Sequence, residues 1–456
     1  MTGKELVINA ISGEKTERVP WVPFCGVHAG ALLNVSADEY LKSSELMITG
    51  LNKAIELYQP DGIPVIFDLQ IEAEIFGCEL HWNQDNPPSV MSHPLADSKL
   101  KLEDLKVPTE HDGRIPQVVE TIKTLRKQHP DIALYGLITG PFTLGIHLLG
   151  TDMFMQMFDD AENVHALLDF CTKTSQAMSR IMLNSGCDVI AVVDPMTSQI
   201  GPEQFEEFCT TPMCRLFDYI REEGGKSSLF VCGHAQKNIE VMCDVHCDNI
   251  SIDENIPLDY VRDICRKKGV SFGGNMQLTV VLLLGDETAA KINAVECLDI
   301  GGDTGFILSP GCDIPYAVPP ANLIATTKVV HSKYKQDIAR ELSKNIPGQN
   351  VEKLDLSDYT DSDKVKIDAV TLDSRGCAPC QYMVAAVKNI LPEFGDKVVF
   401  KEYKVKEPKG VQMMLSLGVK NIPTLCIDGK IAFISEIPNK QELAKVIQDK
   451  IKQKGI

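Results

Sequence analysis

The chain has no apolar run approaching the ~20 residues that a membrane-spanning helix needs; the longest candidate, Leu278–Leu284, is far too short. The N-terminus, Met1-Thr-Gly-Lys-Glu-Leu-Val-Ile-Asn-Ala, lacks the basic start, apolar stretch and cleavage site of a signal peptide and enters an amphipathic pattern at once. Positive charge is in deficit: 45 Lys and Arg against 63 Asp and Glu leave a formal net charge of −18. Such a surface repels nucleic acid and anionic membrane, so neither is expected as a partner. No Gly-rich phosphate fingerprint follows the first expected strand, which removes the support for dinucleotide binding. Internal repeats are absent.

Cysteine, by contrast, is plentiful. There are 15, scattered and odd in number, many inside apolar segments (Cys171, Cys187, Cys265, Cys297) where a thiol serves as a small buried hydrophobe. Without a signal peptide this is no secreted disulfide framework, and the cytoplasm is the expected compartment. The 456 residues exceed what one core holds, so two or three domains are expected.

From Lys4 to about Tyr334, amphipathic helices alternate with short β-branched runs. Strands are expected at Gly62–Phe67, Ile132–Tyr135, Val189–Val193, Ser228–Val231, Asn249–Ile252, Val270–Gly273 and Gly305–Leu308. Helices are expected at Gln117–His129, Met153–Ser185, Gly201–Glu223, Asn238–Val245, Leu258–Lys268 and Ala289–Ile300. This alternation implies a parallel sheet, and closure into a (β/α)8 TIM barrel fits the length better than a doubly wound sheet. Asp68, Asp194, Cys232, Asp253, Asn275 and Cys312 each stand at or just past the end of an apolar run. In a barrel they share the C-terminal rim, where βα loops build active sites.

Around Ser343–Asp363 the composition turns polar, acidic and rich in breakers, as in a linker. The expected division is a barrel over 1–338, a linker over 339–364 and a small α/β domain over 365–456. The last stretch reads strand (Lys366–Leu372), helix after Cys377, strand (Lys397–Tyr403), helix (Gly410–Leu417), hairpin strands (Thr424–Asp428, Lys430–Ile434) and a final helix (Lys440–Lys452).

Cys232 ends the run Leu229-Phe230-Val231 and precedes Gly233-His234; Cys312 lies in Ser309-Pro310-Gly311-Cys312-Asp313-Ile314-Pro315. Two thiols from different strands on one rim suit zinc, with His234 as a nitrogen ligand. Zinc held by thiolates can take a thiol substrate in its open position and lower its pKa. The spacing alone equally accommodates two buried thiols and a loop histidine.

Further stretches extend the pattern: Arg18-Val-Pro-Trp-Val-Pro23, Phe67-Asp-Leu-Gln-Ile-Glu-Ala-Glu74 with Gly77-Cys78, Gly140-Pro-Phe-Thr-Leu144, Asp194-Pro-Met-Thr-Ser198, Gly201-Pro-Glu-Gln-Phe205 and Gly274-Asn275. With the two cysteine turns, they resemble the uroporphyrinogen decarboxylase superfamily and, within it, the methylcobamide:coenzyme M methyltransferases. The resemblance implies methyl transfer between a methylcobamide on a corrinoid protein and a zinc-activated small thiol. It places Asp68 and Asp194 in the pocket as catalytic carboxylates, with Asn275 orienting substrate and Glu72 and Asp253 as further substrate or ligand positions. The decarboxylases carry an Arg-Gln-Ala-Gly-Arg segment where this chain has Gly26-Val27-His28-Ala29-Gly30. A polycarboxylate would lose its bidentate partners there. One departure stands out: the methyltransferases hold zinc on His-x-Cys…Cys, and the histidine position is Phe230. His234, Asp253 or Glu72 could replace it, or the site is two-thiolate or has lost zinc. His28 and Tyr135 fit packing better than chemistry.

Cys377-Ala378-Pro379-Cys380 opens a helix, whose N-terminus lowers the first thiol's pKa and makes it the attacking group; Cys380 is then the resolving thiol. Asn421-Ile422-Pro423-Thr424 precedes a hairpin strand. Together they resemble the dithiol and cis-proline loop of the thioredoxin superfamily, which implies that Pro423 lies beside the dithiol and receives substrate backbone. A zinc knuckle would need a second Cys pair, and Cys426 stands alone. The expected function is therefore a corrinoid-dependent methyltransferase with a fused dithiol domain, a corrinoid protein and a thiol acceptor as partners, and a reductase for the dithiol. The alternatives are a lyase of the decarboxylase kind on another substrate, or a thiol- or corrinoid-binding barrel with redox activity only.

Overall fold

The computed structural model describes residues 1–96, 100–344, 354, 356, 359, 362–419 and 422–456. The chain divides into two compact units, Met1–Asn345 and Ile346–Ile456.

In the first unit seven parallel strands lie in chain order: β1 Gly62–Pro64, β2 Ala133–Thr139, β3 Val189–Val193, β4 Lys226–Val231, β5 Asn249–Ile252, β6 Ser271–Met276 and β7 Phe306–Pro310. Parallel neighbours cannot be joined by a hairpin, so helices such as Ile115–Gln128, Ala161–Ser185 and Leu258–Lys268 carry the crossovers. An eighth segment closes the ring. Leu308 N–H donates to Pro20 O and Val22 N–H to Leu308 O, while on the other side Asp61 and Gly62 N–H both donate to Trp21 O. Pro20 and Pro23 supply no N–H, which keeps this strand short and hides it in the sequence.

The expected helix Met153–Ser185 is two helices, Asp152–Asp159 and Ala161–Ser185, because the Asp160 side chain accepts from Asn163 N–H and caps the second. The expected Gly201–Glu223 helix passes through π-helical backbone at Glu206–Thr210, just ahead of Pro212, which cannot donate the usual i−4 bond. Strand β2 runs on to Thr139, paired with β3 from Tyr135 to its end, although Gly136 weakens its apolar pattern.

Alternate residues of the strands point inward: Ala133, Tyr135 and Leu137 of β2 share one core with Val189, Ala191 and Val193 of β3. The helix Gly3–Ile11, closed by a Thr2–Glu5 capping box, adds Val7, Ala10 and Ile11 to that core. Lys4 N–H bonds Asp131 O just before β2, so this helix seals the N-terminal end of the barrel. Phe24, Phe67 and Phe230 occupy the other end, with Cys232 and Cys312 packed against them.

The second unit is a four-stranded sheet: β8 Val365–Thr371, β9 Val398–Lys404, β10 Thr424–Ile427 and β11 Lys430–Ile434, in the order β9-β8-β10-β11. Only the β8–β9 pair is parallel. Ile367, Ala369, Met383, Leu425 and Ile447 form its core. Most of the expected linker, with Asn421 of the proline loop, lies outside the described residues. The beginning of that linker, 339–343, is instead the end of the helix Lys333–Ser343, where Ala339 is buried and Arg340 pairs with Asp299 at 2.6 Å. Among the described residues no helix is long and apolar enough to cross a membrane.

Candidate functional site

The rim is built from the turns that follow the strands. After β4 the chain turns at Gly233, whose φ of +85° is open to glycine and costly for other residues. Its N–H donates to Asp253 Oδ2 (2.8 Å), and Asp253 Oδ1 accepts from Asn255 N–H (2.9 Å), so this carboxylate ties the ends of β4 and β5. Asn275, at the end of β6, donates its amide to Asp253 O (3.1 Å) and Ile256 O (2.7 Å). Gly311 packs where a Cβ would run into the Glu254 backbone, which sets the turn carrying Cys312. These ties bring Cys232 Sγ to 2.7 Å from Cys312 Sγ, both half-buried. The bond to Cys312, and then burial, push the Cys232 thiol well up. Below the pair, Phe230 meets Phe24 (5.0 Å) and Phe67 (5.9 Å) edge to face.

The carboxylates form a second group around the ends of β1, β2 and β3. Asp68 is buried and paired with Arg114 (2.6 Å), whose Nε binds Glu74 (2.7 Å); Trp82 covers the guanidinium at 4.8 Å. Glu72 is buried against Thr139, with Oε1 accepting from its N–H (3.0 Å) and Oε2 at 2.9 Å from its hydroxyl. Burial pushes the Glu72 carboxyl up to about 7. Asp194 is fully buried and accepts from Thr143 N–H (2.8 Å), Thr143 Oγ1 (2.5 Å) and Phe142 N–H (3.1 Å). It caps the helix Pro141–Leu149, and burial lifts it to about 6.

Of the residues singled out from sequence, Cys232, Cys312, Asp253 and Asn275 are gathered in the first group, and Asp68, Glu72 and Asp194 in the second. His234 is half-buried near Asp253, its Nδ1 has no hydrogen-bond partner among the described residues, and burial lowers its pKa against the opposing pull of that carboxylate. His28 is packing, fixed between Tyr58 OH (2.7 Å) and Tyr316 O (3.1 Å), and Tyr135 lines the core. Cys377 and Cys380 are disulfide-bonded in the second unit. Cys377 is the N-cap of the helix Ala378–Ile390, its sulfur accepting from Cys380 N–H at 3.4 Å; the Ile422–Pro423 peptide is cis, and Pro423 O accepts from Ser435 N–H. Sequence reasoning missed Arg114 and Glu254. Arg114 lies far from any rim residue in sequence, and nothing in its spacing signals the pairing with Asp68. Glu254 had a signal, since it directly follows Asp253 at a strand end. Burial lifts its carboxyl to about 8, and it accepts from Leu278 N–H.

The family model for uroporphyrinogen decarboxylase (URO-D) matches residues 2–333. The chain belongs to the URO-D family. Residues 364–448 match a thioredoxin-domain model. Within the URO-D family, the methylcobamide:CoM methyltransferase MtbA of Methanosarcina acetivorans is 28% identical over 329 residues, covering 71% of this chain and 95% of that protein. MtaA of Methanosarcina barkeri, of the same description, is also 28% identical, over 71% of this chain and 96% of its own length. A uroporphyrinogen decarboxylase of Anaeromyxobacter dehalogenans is 25% identical, covering 65% and 88%. The solved structure of a methyltransferase from Methanosarcina mazei superposes with a TM-score of 0.68 at 26% identity, covering 73% of this chain and 99% of that one.

Zinc would need more than this rim presents. A catalytic zinc takes three protein ligands and leaves one position open. Among the described residues no group of three or more His, Cys, Asp or Glu side chains converges as a metal site. Phe230 is committed to the aromatic floor, and both oxygens of Asp253 are engaged by the backbone. The donor set stops at two thiols and does not fit a three-ligand zinc.

Proposed function

We propose that the barrel moves a methyl group between a methylcobamide held by a corrinoid protein and a small thiol. The observation that carries this reading is the pair of half-buried thiols at the mouth of a URO-D barrel that matches methylcobamide:CoM methyltransferases over nearly their whole length. The segment Gly26–Gly30 offers no arginine to a polycarboxylate, which favours methyl transfer over tetrapyrrole decarboxylation.

Toward the thiol, the acceptor sulfur attacks the methyl carbon. The sulfur–carbon bond forms, the cobalt–carbon bond breaks, and its electron pair stays on the cobalt. The thiol proton must pass to a base. Burial lifts the Glu254 carboxyl to about 8, close to the ~8.5 of a free thiol, so its carboxylate form is matched to that proton. The aromatic floor excludes water beneath the reacting carbon. Asp68, Asp194, Asp253 and Asn275 position the rim through Arg114, the helix Pro141–Leu149 and the β5 turn. Zinc activation of the thiol would require a third ligand. In the second unit Cys377 attacks a disulfide, Cys380 resolves the mixed disulfide, and Pro423 receives the backbone of the reacting protein; a reductase then restores the dithiol in the cytoplasm.

A second reading, favoured by Phe230 in place of a histidine, is a barrel that binds a thiol or corrinoid without catalysis. The test is turnover of methylcobalamin with 2-mercaptoethanesulfonate, followed by absorbance. Cys232→Ser is expected to lower kcat/KM on the order of 10²-fold, and Cys377→Ser by far less. Dependence on Cys377 alone would replace methyl transfer with the second reading.

A further inference from the structure

The thiols of this chain fall into two kinds. Cys25, Cys78, Cys171, Cys187, Cys209, Cys243, Cys247, Cys265, Cys297 and Cys426 are buried, whereas Cys214, Cys232 and Cys312 are half-buried; Cys214 faces Asp244 O, and Cys232 and Cys312 face each other at the barrel mouth. Cys243 and Cys265 show what an ordinary thiol–thiol contact looks like here, at 3.8 Å. Cys232 and Cys312, 80 residues apart, approach to 2.7 Å, much closer to a disulfide bond of ~2.05 Å. Two thiolates on one tetrahedral zinc at ~2.3 Å would be held about 3.8 Å apart. The pair is therefore placed for a bond between its own sulfurs, and it lacks the third ligand a metal would need.

We propose that Cys232 and Cys312 are a redox pair, closing reversibly to a disulfide across the barrel mouth that a small dithiol reopens. Closing takes a low-molecular-weight disulfide as oxidant. The thiolate of one cysteine attacks it and releases one small thiol, and the second cysteine then displaces the other small thiol from the mixed disulfide. In reopening, one thiolate of a small dithiol attacks one barrel sulfur, and its second thiol attacks the first and releases the second barrel thiol. Two electrons and two protons pass to the barrel pair, and the small dithiol leaves as a cyclic disulfide. Closure also withdraws both thiols from the mouth, so the barrel is switched by thiol redox state. The inference does not rest on methyl transfer, because its readout is the state of the sulfurs.

The experiment is thiol mapping of the full chain. Protein reduced and freed of reductant is exposed to oxidised glutathione, quenched in acid, alkylated and digested for mass spectrometry. The expected result is a cross-linked Cys232–Cys312 peptide in the wild type. In Cys232→Ser, Cys312 is expected as a glutathione adduct. Dithiothreitol added to the oxidised protein is expected to return Cys232 and Cys312 to separately alkylated form. Two separately alkylated cysteines in oxidised wild type whose Cys377–Cys380 pair has closed would overturn the redox pair. So would near-stoichiometric zinc protecting both thiols.

Discussion

At the scale of single residues, Glu72 shows how placement changes chemistry. The Thr139 hydroxyl has one proton, and at 2.7 Å from Leu69 O that proton is given to the carbonyl. The 2.9 Å contact between Thr139 Oγ1 and Glu72 Oε2 then needs a proton from the carboxyl, in agreement with burial raising Glu72 from 4.5 to about 7. A carboxyl raised on folding contributes stability that is whole below its unfolded pKa and lost as pH climbs through its folded one. The window is about 4.5 to 7, and the contribution is on the order of 3 kcal/mol. Glu72→Gln keeps both bonds, its amide donating to the hydroxyl. In urea unfolding it is expected to flatten this pH dependence and to be the more stable protein at pH 8; a wild-type curve level between pH 5 and 8 would refute the assignment. The sequence marked Glu72 and Asp68 as polar residues after a strand. It carried no sign that Asp68 would be claimed by Arg114, because that pairing is made by folding across 46 positions.

At the scale of elements, Asp194 joins the end of β3 to the start of a helix that belongs to the preceding strand. A strand-end carboxylate is legible as a cap, but in sequence it points to the helix that follows it. The structure gives it to Pro141–Leu149 instead, through Phe142 and Thr143. Asp194→Ala leaves those donors buried without partners and is expected to cost about 2–4 kcal/mol in denaturant unfolding. Asp194→Asn keeps an acceptor and is expected to cost less; equal losses would show that charge rather than hydrogen bonding matters. The closing strand around Trp21 illustrates the opposite failure. Its residues were recognised as a motif but not as a strand, since Pro20 and Pro23 forbid the regular ladder and leave two bonds to β7 and two to the entry of β1.

At the scale of the whole molecule, the two units have separate hydrophobic cores, one inside the barrel and one on the four-stranded sheet. Calorimetry of the full chain is expected to resolve two transitions, with only the smaller moved by reducing Cys377–Cys380; a single transition would mean that the two cores melt as one. The β/α alternation, the strand-end polar residues and the CXXC helix start were determined by sequence, because each depends on local periodicity and on residues within a turn or two of one another. The partners those residues take were decided only in three dimensions. The fate of Cys232 is the clearest case. Its position at a strand end is local, as is Phe230 in place of a histidine, but its approach to Cys312 and the capture of Asp253 by backbone donors arise from closing the barrel. Ring closure sets neighbours across the rim that no spacing along the chain encodes.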